Sequence, residues 1–170
     1  KPPAANLSRV ERLYEERLDG AASRTAQLMV QQHAPQAAIA AWYGGLAEFR
    51  TGDYEQAATF FKAATRSKNA QVAGGSEAML GQLATQSDEY AEALRRYERA
   101  WSLLSGSDQR QAGVRALAAA QVAGNTFAAD RWRTRLRTSG GIAAPADHPF
   151  ALQAGAYRTR SAANSHATKL

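Results

Sequence analysis

The feature that most constrains this chain is that it repeats itself. Asp53-Tyr54-Glu55-Gln56-Ala57-Ala58 is answered by Glu89-Tyr90-Ala91-Glu92-Ala93-Leu94. Tyr54 and Tyr90, Ala57 and Ala93, Phe61 and Tyr97, and Ala64 and Ala100 each stand 36 residues apart. Within one copy the four residues fall on a single helical stripe, because steps of three, four and three keep to one face. The small residues admit a neighbouring helix and the aromatic fills the groove beside them. A repeat of this length implies one supersecondary unit, stacked.

Each copy follows another helical pattern: Trp42, Gly45, Leu46 and Phe49 in the first, and Met79, Leu80 and Leu83 around Gly81 in the second. Thr51-Gly52-Asp53 predicts the turn between the helices of the first copy, with Asp53 as cap and Gln56 three residues on. Gly74-Gly75-Ser76 reads as a turn between repeats that ends in a helix N-cap. A degenerate third copy is expected to follow. Val114, Leu117, Ala118 and Val122 mark its first helix, Gly124-Asn125-Thr126 its turn, and Phe127, Ala128, Trp132 and Leu136 its second helix. Upstream, Leu7, Val10, Leu13, Tyr14 and Leu18 predict an amphipathic helix capped by Asn6 or Ser8. Ala22 to Gln32, with Ala26 and Met29 inward, pairs with it.

These residues resemble the tetratricopeptide repeat (TPR). Leu80-Gly81 followed by Tyr90, Ala93, Tyr97 and Ala100 matches that family's order of small and large positions. The likeness runs from Ala38 to Gly106. The first copy is one residue short between Trp42 and Gly52, the period exceeds the family's usual 34, and neither copy ends in the family's Pro. The resemblance implies a mainly α fold, a short right-handed α-α superhelix of helical hairpins whose groove holds a partner protein. The expected organisation is a hairpin over residues 1–36 and TPR-like repeats over 37–138.

Composition agrees with close helix packing. Alanine fills 39 of 170 positions and aromatics make up 8%. The absence of cysteine excludes disulfides, thiol nucleophiles, zinc–thiolate sites and iron–sulfur clusters. No apolar run approaches the roughly 20 residues of a bilayer span, and no signal peptide is visible. The start at Lys1-Pro2-Pro3-Ala4, without Met, is what a processed or excised piece is expected to show.

Residues 139–149, with a Gly pair and two Pro, read as a linker. From Phe150 the texture changes to an alternating, strand-like pattern, then a turn at 158–161 and a short helical stretch. Phe150, Leu152, Gln153, Gly155, Ala156, Tyr157, Ala163 and Leu170 resemble the opening of a SPOR domain, an α+β module that binds peptidoglycan. His166 departs from the family pattern, where an aliphatic residue is usual. The likeness covers 150–170, the first strand and helix of an incomplete module. It implies that Gln153 belongs to a glycan-binding face, where an amide can both donate to and accept from sugar hydroxyls. A solvent-facing strand Gln is the other reading.

Elsewhere no catalytic constellation is found. His33, His148 and His166 have no ligand spacing, so neither metal nor cofactor is expected. Asn6-Leu7-Ser8 fits a glycosylation sequon, but helix capping explains it more simply. The net charge of +6 is uneven: between Gln109 and Thr138 there are six Arg and one acid, Asp130. Arg131, Arg133, Arg135 and Arg137 therefore form either a solvated face on a terminal helix or a docking patch for an anionic partner. Nucleic acid is not expected, since exposed aromatics and known motifs are lacking. The combined expectation is a non-enzymatic scaffold of the bacterial periplasm or cell envelope that binds a partner protein and peptidoglycan glycan strands. A cytoplasmic TPR adaptor and a non-catalytic fragment of a larger cell-wall enzyme are the alternatives.

Overall fold

Connections of two to five residues force neighbouring helices to lie antiparallel, and here that geometry recurs along the chain. The computed structural model describes residues 5–139, and these are mainly helical. The helices are α1 (Leu7–Glu15), α2 (Asp19–Gln31), α3 (Ala37–Thr51), α4 (Tyr54–Ala64), α5 (Ala70–Gln86), α6 (Tyr90–Leu103), α7 (Gly106–Val122) and α8 (Thr126–Thr138). Each packs on the next, and α3 also touches α1 and α5. The predicted linker beyond Ser139, the expected strand and helix of 150–170, and Gln153 lie outside the described residues.

Asx residues start many of these helices. The side chain of Asn6 accepts from Arg9 N at 2.9 Å, Asp53 from Gln56 N at 3.0 Å, and Asn125 from Ala128 N at 3.0 Å. Each satisfies one of the backbone donors that a helix start leaves open. Asn6, not Ser8, is thus the first cap. Before two of these caps stand Gly52 (φ 94°) and Gly124 (φ 68°), whose left-handed backbone ends the preceding helix at no steric cost. The sequence pair Gly-Asx is therefore the hairpin corner in both places.

Two expectations are corrected. Gly74, Gly75 and Ser76 are not a turn; they lie inside α5, and the cap is Asn69, whose side chain accepts from Gln71 N and Val72 N. Their smallness serves packing. A β-carbon on Gly74 would sit 2.7 Å from Leu104, and one on Gly75 would sit 3.0 Å from Trp42. The inward face of α7 also differs from the expected one. Val114 and Val122 are exposed and Ala118 faces solvent, whereas Ala112, Gly113, Ala116, Ala119 and Ala120 are buried. On α8, Phe127 is 77% exposed, while Ala128, Ala129 and Trp132 point inward.

The core is a chain of three clusters, one at each junction between successive hairpins. Val10, Ala26, Met29 and Phe60 anchor the first, Phe61, Met79 and Leu104 the second, and Tyr97, Ala116 and Trp132 the third. The first hairpin's core runs into α3 and α4 without a break. Burial of each large side chain contributes about 1.5–3 kcal/mol, and the alanines between them contribute by letting backbones approach.

Candidate protein-docking groove

Where α4 and α6 run in the same direction along opposite flanks of α5, a groove of about 1170 Å³ opens. Ala58, Leu80, Leu83 and Ala84 give it an apolar floor, with Tyr54 at one end. Charged side chains form the rim.

Glu92 organises one rim. Its carboxylate accepts from Arg95 at 2.6 and 2.9 Å and from Arg96 at 2.7 Å. Arg96 also reaches Glu77 of α5 at 3.0 Å, and Arg99 stands 3.8 Å from the same carboxylate. Glu77 is buried, so these partners are what permit a charge there. The hydrogen bonds from Arg95, then from Arg96, hold the Glu92 carboxyl below the usual carboxylate range. Burial disfavours the Arg96 cation, but Glu77 and Glu92 more than offset it and raise its pKa. At the N-terminal end of α6 the rim turns acidic, with exposed Asp88 and Glu89. Tyr90 donates its hydroxyl to Asp88 at 2.7 Å, which raises the phenol's pKa.

The predicted arginine run is only partly available to an anion. Arg131 is paired with Glu98, and Arg133 bonds Asp130 at 2.5 Å. Arg135 lies over the rings of Trp132 (5.1 Å) and Trp101 (5.8 Å). Arg137 is exposed, with no ion pair among the described residues. An open depression on this outer face of α8 is lined by Phe127, Arg131 and Arg135 among others. His33 is exposed, and among the described residues no group of three or more His, Cys, Asp or Glu is placed to hold a metal ion. Among them, too, no helix is long and apolar enough to cross a membrane.

The resemblance implies a partner-holding groove, but the residues that line this one have little signal in the sequence. The local signal is the spacing of Glu92 to Arg95 and Arg96, three and four residues apart on one helix face. The bond from Arg96 to Glu77 has no such signal, since it joins two helices.

No protein-family model matches this chain, and no curated protein matches it either. What the described residues define is a class: stacked antiparallel helical hairpins with a charged groove between two of them.

Proposed function

We propose that the protein is a non-enzymatic scaffold of the bacterial cell envelope, in which TPR-like hairpins hold a partner protein and a SPOR-like segment engages peptidoglycan. The observation that carries the TPR reading is a repeated packing pair. Gly45 lies against the Phe61 ring, and Gly81 lies against Tyr97. Both pairs are 16 residues apart and join the two helices of one hairpin, at the small and aromatic positions that the resemblance rests on. The buried pair Ala116 and Trp132 repeats the spacing in the hairpin of α7 and α8.

The SPOR reading rests on residues 150–170 of the sequence, with Gln153 as its glycan-binding candidate and the periplasm or envelope as its location. The test is sedimentation of the full-length gene product with purified peptidoglycan. Pelleting should rise after amidases strip the stem peptides and fall with Gln153→Ala. Equal pelleting of a chain ending at Thr138 would move any binding to the helices and remove the SPOR reading.

A further inference from the structure

We infer that the groove between α4 and α6 is the docking site for one peptide segment of the partner, apolar at its centre and oppositely charged at its two ends. The inference rests on the scaffold reading above and adds a place and a chemistry to it.

The two walls carry the same charge order. On α4, Glu55 stands near the N-terminus and Lys62 near the C-terminus, both exposed. On α6, Glu89 caps the N-terminus and Arg95 and Arg96 follow one to two turns on. Because α4 and α6 each run back along α5, these orders are parallel: of the residues lining the groove, Glu55 lies toward the same end as Asp88 and Glu89, and Lys62 toward the same end as Arg95 and Arg96. Seven residues of helix separate the two ends on each wall, about 10 Å. Between them lies the apolar floor of Ala58, Leu80 and Leu83.

The two ends are not equally satisfied internally. Arg95 and Arg96 share Glu92, and Arg96 also serves Glu77. Glu55, Asp88 and Glu89 make no ion pair among the described residues. Three uncompensated carboxylates around one end of an apolar trough favour a cation there. Lys62 and the exposed Arg95 favour an anion at the other end. Charge order then selects direction: a segment laid in backwards meets like charge at both ends.

The test uses the 170-residue chain to select from a displayed library of short random peptides. Selected peptides should share an apolar centre with Lys or Arg at one end and Asp or Glu at the other. Synthetic copies should bind about tenfold more weakly to the Glu55→Lys/Glu89→Lys variant, and copies with inverted ends should bind it better than wild type. The milder Glu55→Gln/Glu89→Gln variant guards against misfolding and should give a smaller loss in the same direction, with circular dichroism confirming helix content. Selected peptides indifferent to both variants and to Lys62→Glu would overturn the groove proposal while leaving the scaffold reading intact. Failure to enrich any peptide would overturn both. Dimerisation that the Glu55→Lys/Glu89→Lys variant abolishes would make the occupant a second copy, and would also overturn the inference.

Discussion

Gly81 faces Tyr97 so closely that a β-carbon on the glycine would lie 2.8 Å from the tyrosine ring. Gly45 stands in the same relation to Phe61, at 2.7 Å. Each pair holds the two helices of a hairpin at a separation that only a bare backbone allows. The aromatic is enclosed in turn: Phe61 is fully buried and Tyr97 nearly so.

Gly81→Ala should therefore destabilise the protein, although alanine is the better helix former. Overpacking costs about 1–3 kcal/mol, against a propensity gain of up to about 1 kcal/mol. Chemical denaturation should show a net loss, partly restored by adding Tyr97→Leu. Gly20→Ala is the control, because a β-carbon there meets only the mobile end of Arg24 at 3.4 Å. Equal effects at both glycines would mean that the ring contact is not what constrains Gly81.

Ala93 gives a related expectation. It is fully buried on α6, as Ala57 is on α4, in the register the repeat predicts. Ala93→Leu should overpack the third cluster and cost roughly 1–3 kcal/mol. An unchanged melting temperature would show that the cluster can yield there.

Trp132 fills the aromatic position of the hairpin of α7 and α8, fully buried and edge-on to Trp101 with ring centroids 5.2 Å apart. Its indole N–H has no hydrogen-bond partner among the described residues. Trp132→Phe removes a buried unsatisfied donor along with volume, so it should cost well under the roughly 3–5 kcal/mol of Trp132→Ala. Comparable losses in the two variants, measured by denaturant titration, would imply that the N–H is satisfied in solution.

Arg50 ties the first hairpin to α3. It pairs with Asp19, donates to the Tyr14 carbonyl at 3.0 Å, and lies 4.1 Å from the centre of the Tyr14 ring. A lysine cannot meet all three at once, since it lacks the planar fork. Arg50→Lys should cost about 1–2 kcal/mol and speed hydrogen exchange in α1 more than in α7. Uniform acceleration along the chain would show that the first hairpin does not open separately.

The sequence made the hairpins legible wherever a large residue marked the stripe, as Phe61 and Tyr97 do, and wherever Gly-Asx marked a corner. It misled where smallness was the signal. Gly74 and Gly75 look like turn residues until Leu104 and Trp42 are seen pressed against them. On α7 the valines drew the eye to the solvent side, because hydrophobicity ranks Val114 above the Ala116 that is actually buried. Close helix packing buries the small residue, and no periodicity of large ones reports it. The groove was harder still: it is made by two helices 36 residues apart in sequence, and Glu77 meets Arg96 only after both have folded.

Acid should reveal the fork at Glu92. Hydrogen bonds from Arg95 and then Arg96 lower its carboxyl pKa in the folded state. An unfolded glutamate titrates near 4.3. The folded form thus releases its proton more readily than the unfolded one, and the fork's stabilisation is complete above that value. It is lost as the pH falls through the lowered folded value, where the carboxyl takes up a proton and Arg95 and Arg96 lose their partner. Glu92→Gln lacks the charge at every pH. The melting-temperature gap between wild type and this variant should be widest near neutrality and close as the pH is taken well below 4. Because Arg95 is 61% exposed, added salt should narrow the gap at neutral pH as well. A gap that stays constant from neutral pH into strong acid would show that the fork contributes packing and not charge.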